Sequence, residues 1–452
     1  DTNAFLTADS LSQNVDDVSV NAGVRGVYGL ATQLSSEVEP LAAALDVAPS
    51  HVFVADTLSK SSPLSLIGLA GRNQSAGGEI DTALYPATLQ IQSAQTLSDP
   101  MFADMALIQE LELLSTDKAQ TVTIGQNAQA AGILLVDASV SEAGAVIDAG
   151  GYTGAINLVG GAGADSLVGG SAADTISGGD GADTITGGAA ADNLSGGDGA
   201  NVFQYGNNEF IASETVTGGS GTDTILFTAD GQTVVDGAFT NKTLIEAITT
   251  ANGNNNITLG ANATAATDSL TVTGGTGNDT IDASTLGESV TISGNTGNDV
   301  LTGSNQADTI TGGDGADTIT GGAGNDSITG GADADEINAG TGTNEITDAG
   351  DGADEITHDS AGSTVAISVT GTDAVTLAAS QTGATATSAD GVNTTVNAST
   401  STSSVNLVGG TGTDSLVGGS AADTISGGDG ADTITGGAGN DSITGGADAD
   451  EI

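Results

Sequence analysis

One nonapeptide governs this chain. Gly-Gly-x-Gly-x-Asp-x-apolar-x recurs without interruption in GGAGADSLV (160–168), GGSAADTIS (169–177), GGDGADTIT (178–186), GGAAADNLS (187–195) and GGDGANVFQ (196–204). A second array runs from GNTGNDVLT (294–302) to AGTGTNEIT (339–347), followed after Asp348 by AGDGADEIT (349–357), and a third runs from GGTGTDSLV (409–417) to GGADADEI (445–452). Single copies stand at GGSGTDTIL (218–226) and GGTGNDTID (274–282). A short fixed period marks a stacked repeat architecture, in which one unit cannot bury its apolar face alone. The glycines permit left-handed backbone angles that a Cβ forbids, so each unit reads as a six-residue turn followed by a three-residue strand. The residue at position eight, such as Leu167, Ile176, Ile185 and Leu194, points inward. Two units then make one coil of 18 residues, with a strand on each side.

Stacking such coils has an electrostatic consequence. Coils repeat at the strand spacing of about 4.8 Å, so position-six aspartates two units apart, such as Asp165 and Asp183, share one edge. At about 5 Å two carboxylates repel by roughly 1 kcal/mol in water and about 3 kcal/mol at an effective dielectric of 20. The chain as a whole carries 58 Asp and Glu against 5 Lys and Arg, a net charge of -53. Self-repulsion on this scale leaves a chain disordered unless a cation neutralises it. Because 37% of residues are hydrophobic, disorder fits poorly and bound cations fit well. There is no Cys, and His51 and His358 are the two histidines, so the ligands on offer are oxygens, which suit hard cations such as Ca²⁺. Folding and metal binding become one process. Nucleic acid is a poor partner for a chain with so little Lys and Arg.

These repeats resemble the RTX (repeats-in-toxin) motifs, the family of Ca²⁺-binding parallel β-rolls. The resemblance implies several Ca²⁺ ions held by position-six carboxylates and turn carbonyls. Carried onto this sequence, the ligands are Asp165, Asp174, Asp183 and Asp192; Asp223 and Asp279 in the single copies; Asp299, Asp308, Asp317, Asp326, Asp335 and Asp354; and Asp414, Asp423, Asp432, Asp441 and Asp450. Asn201 and Asn344 replace Asp, which implies weaker sites there. Position four lacks Gly in 169–177, 187–195, 303–311, 330–338 and 418–426, a departure from the expected turn. The resemblance also implies export by a type I system and folding in Ca²⁺-rich medium outside the cell.

The expected fold is mainly β: right-handed parallel β-roll and β-helix segments behind a smaller, mostly helical N-terminal region. Four of the five basic residues lie within the first 118 positions, where Gly is sparse, and 27–47 and 100–115 have roughly helical spacing. The predicted organisation is an N-terminal region for anchoring or assembly (1–120), a β-solenoid lead-in (121–159), roll 1 (160–205), an irregular β-helix spacer (206–293), roll 2 (294–358), a Ser/Thr-rich β spacer (359–405) and roll 3 (406–452). The lead-in shows β-rich runs about 11 residues apart. Residues 406–437 repeat 157–188 except at 162 and 164, and 427–452 are identical to 312–337. Since the earlier copy continues, more cassettes are expected beyond Ile452.

No sequence typical of an attached enzyme is present: neither H-E-x-x-H nor G-x-S-x-G occurs. His51 and His358 read as structural or solvated residues, and Asp16–Asp17 and Glu110–Glu112 as solvated faces. No stretch of about 18 apolar residues suggests a transmembrane helix. The layout resembles RTX-type bacterial surface-layer proteins, which implies an extracellular, cell-surface protein. Its partners would be copies of itself and, through 1–120, lipopolysaccharide or another surface glycan. The expectation is a non-enzymatic protein assembling into a layer, sheath or filament. A large adhesin with a Ca²⁺-stiffened stalk and a fragment of an exoenzyme stay open as alternatives.

Overall fold

The computed structural model describes residues 24–26, 51–55, 87–91, 96–103, 105, 108–114, 118–263, 269–348, 354–357, 364–369, 374–377, 384–388, 391 and 393–452. These form parallel β-solenoids in two compact units, Asp1–Asp223 and Thr224–Ile452.

In the first unit one sheet is built from Ala87–Ile91, Ile108–Leu113, Leu135–Asp137, Asn157–Val159, Thr175–Asp180, Asn193–Asp198 and Thr215–Ser220, each pairing in parallel with the next. His51–Ala55 adds to it in parallel, and Val24–Gly26 pairs antiparallel to that strand. A second sheet stacks Thr96–Leu97, Thr121–Thr123, Val146–Asp148, Ser166–Val168, Thr184–Thr186 and Val202–Tyr205. The chain therefore alternates between the two sheets. In the roll, Ser166 aligns with Thr184 and Leu167 with Ile185, the expected 18-residue step. In the lead-in, strands 11 residues apart fall on opposite sheets, so Leu135 aligns with Asn157 across a longer coil.

The second unit repeats this plan. One sheet runs from Thr224–Phe227 through Ala247–Thr249, Ser269–Thr273, Ser289–Thr296 and Thr309–Asp314 to Ser442–Ala447. The other runs from Thr233–Val234 to Thr433–Thr435. The described strands of the spacers that lie within this unit are irregular rungs of the same ladders. DSLTVTGG contains the strand Ser269–Thr273, and STVAISVTG the strand Thr364–Val369.

Within the nonapeptide rungs the core is a file of apolar residues, one at position eight of each unit. Leu167, Ile176, Ile185 and Leu194 are buried, as are Leu301, Ile310, Ile319, Ile328 and Ile337, in line with the position-eight expectation. Their neighbours in the strand point outward. β-branched residues dominate because they pack well on a pleated surface. The two sides of the roll differ, which the sequence did not disclose. On one side the strand continues into the next turn, as in Thr175–Asp180 and Thr309–Asp314; on the other it is three residues long, as in Thr184–Thr186 and Thr318–Thr320.

The helical expectation for 100–115 is overturned. Asp99–Phe102 is a single 3₁₀ turn, and Ile108–Leu113 is a strand. Ile108, Leu111 and Leu113 are buried, so the alternation in E-L-E-L overrides the helical spacing. Glu110 and Glu112 are not a solvated face. They accept hydrogen bonds from Thr88 Oγ1 (2.6 Å) and Gln90 Nε2 (2.7 Å) on the adjacent strand. The stretch 27–47 and His358 lie outside the described residues. The helix Gln126–Ala131 is short. The Asp99 carboxylate accepts from the N–H of Gly125 (2.7 Å) and Ala128 (2.9 Å) at its N-terminus, a cap supplied from the preceding coil.

Candidate metal centre

The turns place the position-six aspartates where the sequence spacing predicts. Each backbone N–H of one rung donates to Oδ1 of the residue at the same position one rung later. Asp165 N–H meets Asp183 (2.8 Å), Asp174 meets Asp192 (2.8 Å), and Asp183 meets Asn201 (3.0 Å), whose own N–H meets Asp223 (2.8 Å). In the second unit Asp279 meets Asp299 (2.7 Å), Asp299 meets Asp317 (2.8 Å), Asp317 meets Asp335 (2.9 Å), and Asp335 meets Asp354 (2.7 Å). On the other edge Asp308 meets Asp326 (3.1 Å); in roll 3 Asp414 meets Asp432 (2.9 Å), Asp423 meets Asp441 (3.0 Å) and Asp432 meets Asp450 (3.2 Å). All seventeen predicted aspartates thus fall on these ladders. Fifteen are buried, with exposures of 4% or less, while Asp441 and Asp450 are half-buried.

Burying a row of carboxylates without cations nearby raises their affinity for protons. Burial pushes Asp183, Asp192, Asp317 and Asp326 up to about 6 and Asp335 to about 7, with like charges on adjacent aspartates adding to the effect. Burial likewise raises Asp165, Asp174, Asp299, Asp308 and Asp414.

Seven of these carboxylates have a buried Oδ2 with no hydrogen-bond donor: Asp183, Asp192, Asp299, Asp317, Asp326, Asp414 and Asp432. A buried anionic oxygen without a partner is costly. The space it faces is lined by further oxygen. A Cβ on Gly178 would collide with Asp183 Oδ2 and approach the Gly196 carbonyl; on Gly312 it would meet Asp317 Oδ2 and the Gly330 carbonyl; on Gly427, Asp432 Oδ2 and the Gly445 carbonyl. Carbonyls at positions two and four also stack from rung to rung, as Gly161 beneath Gly179 and Gly163 beneath Gly181. Among the described residues no three His, Cys, Asp or Glu side chains gather around one point. Carboxylates alone therefore do not make a site, and turn carbonyls would have to complete it. A set of carboxylate and carbonyl oxygens lacking a donor matches the ligand preference of Ca²⁺.

The sequence matches the family described as RTX calcium-binding nonapeptide repeat (4 copies) over 157–185, 168–203, 271–285, 291–319, 311–346, 408–443 and 426–452. These segments coincide with the rungs just described. These segments are RTX β-roll repeats. No curated protein matches it. RTX repeats bind Ca²⁺ at multiple sites, and proteins carrying them are typically secreted by type I systems. Among the described residues no helix is long and apolar enough to cross a membrane.

The RTX turns are of two kinds, a distinction the consensus hides. Gly161, Gly170, Gly275, Ser304 and Gly419 occupy position two without a positive φ. Their N–H groups donate to Oδ2 of Asp165 (2.6 Å), Asp174 (2.6 Å), Asp279 (3.0 Å), Asp308 (2.6 Å) and Asp423 (2.7 Å). Ser304 Oγ adds a bond to Asp308 Oδ1 at 2.9 Å. These are capped turns. Where position two is left-handed, the N–H makes no such bond and Oδ2 stays bare. This holds for Gly179 (φ 112°), Gly188 (95°), Asn295 (77°), Gly313 (124°), Gly322 (106°), Gly410 (96°) and Gly428 (113°).

The departures from consensus sort along the same line. Ala172, Gln306 and Ala421, at position four of capped turns, have no positive φ, whereas Ala190, Asp333 and Asp448 adopt φ of 87°, 72° and 76° in place of glycine. Asn201 and Asn344 keep the Oδ1 bond. Their Nδ2 donates to a carbonyl of their own turn, Gly199 (3.3 Å) and Ala339 (2.8 Å) respectively. The amide thus puts a donor where Asp presents an acceptor.

Proposed function

We propose that the position-six aspartates of the rolls hold Ca²⁺ together with turn carbonyls, and that the loaded chain is a non-catalytic structural protein assembling with copies of itself into an extracellular layer, sheath or filament. The observation that carries this reading is the continuity of the second unit. Irregular spacer rungs and RTX rungs share uninterrupted parallel ladders, as where Ser269–Thr273 pairs with Ser289–Thr296 and the latter with Thr309–Asp314. Spacers built as further rungs, not as hinges, suit a load-bearing element. The seven bare, buried Oδ2 atoms supply the calcium dependence.

In this reading the protein's own atoms do three things. Backbone N–H groups fix each carboxylate through Oδ1, the paired glycines hold the turn carbonyls at adjoining rungs, and the apolar file excludes water from the inner side. Bound calcium supplies the positive charge that offsets the stacked carboxylates. Residues 1–120 would hold the assembly to the cell surface, with lipopolysaccharide or another surface glycan as the partner.

The test is assembly of purified chain. Light scattering and negative-stain electron microscopy are expected to show polymers in millimolar CaCl₂ that disperse in EDTA. Protein that stays monomeric in calcium contradicts assembly, and monomers that nonetheless bind cells would favour the adhesin stalk.

A further inference from the structure

The two kinds of turn imply two kinds of aspartate within one family motif. We infer that calcium is taken at bare turns, among them those of Asp183, Asp192, Asp299, Asp317, Asp326, Asp414 and Asp432, and not at capped turns, so that Asp165, Asp174, Asp279, Asp308 and Asp423 are metal-free caps. This rests on the reading of the position-six aspartates as calcium ligands and divides them.

The two kinds of turn differ in the hydrogen bonding of Oδ2. In both kinds of turn Oδ2 lies beside the first glycine and the carbonyl of the next rung: Asp165 Oδ2 and the Gly178 carbonyl flank Gly160, as Asp183 Oδ2 and the Gly196 carbonyl flank Gly178. The lining is the same, so it does not discriminate. The N–H of position two does. In capped turns it lies 2.6 to 3.0 Å from Oδ2, satisfying the anion with a charge-assisted bond and directing a donor at the place a cation needs. In bare turns a left-handed position two makes no such bond, and a buried anionic oxygen is left for a cation to satisfy.

The five capped turns all stack on irregular coils instead of on another RTX turn. Oδ1 of Asp174, Asp308 and Asp423 accepts from Ile156, Val290 and Val405, which belong to no repeat. Each closes the beginning of a column. Asp414 separates this position from the φ angle. It too stacks on an irregular coil, through Thr394 N–H, yet Gly410 is left-handed and Oδ2 is bare. The inference therefore places an ion at Asp414 and none at its neighbour Asp423.

The experiment counts ions on the full chain by equilibrium dialysis with ⁴⁵Ca²⁺, comparing wild type with Asp414→Asn, Asp423→Asn, Asp192→Asn and Asp174→Asn. Asp414→Asn and Asp192→Asn are expected to lose bound calcium. Asp423→Asn and Asp174→Asn are expected to keep the wild-type stoichiometry while melting at a lower temperature. Equal calcium loss from both sets overturns the inference. A wild-type chain that binds no calcium overturns the underlying reading instead. Should the variants fail to fold, a calcium-bound crystal structure of the wild type decides through anomalous scattering. Ions against Oδ2 of Asp183, Asp317 and Asp414 with none against Asp174, Asp308 and Asp423 support the division, and an ion on any capped Oδ2 refutes it.

Discussion

Ile319 and Asp317 lie two positions apart, and between them they state the problem this chain solves. The isoleucine is fully buried and stabilises the roll in the ordinary way; Ile319→Ala should cost about 2–5 kcal/mol, measurable by denaturant unfolding in saturating calcium. The aspartate is almost as deeply buried, which opposes folding unless its charge is met. Its carboxyl, pushed up to about 6 by burial, shows the direction of linkage. A group whose folded value is raised binds protons more tightly when folded. Its contribution to metal-free stability is present below the ordinary carboxylate value of about 4 and is lost as pH rises through about 6. Asp335, raised to about 7, extends this window upward. In EDTA the rolls should therefore gain β signal by circular dichroism as pH falls from 7.5 to 4.5, while calcium affinity weakens over the same range because protons and calcium compete. A metal-free roll that is most stable at pH 7.5 would show that the buried carboxylates do not govern folding. At Gly312 even a methyl group intrudes on Asp317 Oδ2 and the Gly330 carbonyl, so Gly312→Ala should weaken calcium binding about tenfold or more, about 1.4 kcal/mol.

Individual rungs test register. Deleting 312–329 removes one whole coil and leaves each later strand on its own sheet, so the calcium-loaded protein should keep a cooperative melt shifted by only a few degrees. Deleting 312–320 moves every later strand to the opposite side, where six-residue and three-residue strands exchange places; that variant should melt broadly and far lower. Equal behaviour of the two deletions would mean that the sides are interchangeable. The repeat made the coil length, the inward residue and the aspartate edges legible, because nine residues with one carboxylate and one apolar position admit few arrangements. It concealed the inequality of the sides and of the turns. Stacking beneath the turn contributes without deciding it: Gly170 and Gly188 share the same consensus position, yet one turn stacks on the irregular coil ending at Ile156 and the other on an RTX turn, while the turn of Asp414 stacks on an irregular coil and stays bare. The strand Ile108–Leu113 was hidden for the same reason, since its burial against Ala87–Ile91 and Leu135–Asp137 outweighs local helical spacing.

For the molecule as a whole the balance is between a net charge of -53 and a core that, in the nonapeptide rungs, is one apolar residue wide. With so thin a core in the rolls, folding is expected to depend on bound cations. Far-ultraviolet circular dichroism of the full chain at pH 7.5, titrated with CaCl₂ from an EDTA-treated start, measures that dependence directly. A weak β signal in chelator and a cooperative rise on calcium addition are expected, with a melting temperature that climbs with calcium concentration. An unchanged spectrum and melting temperature with and without calcium would contradict that dependence.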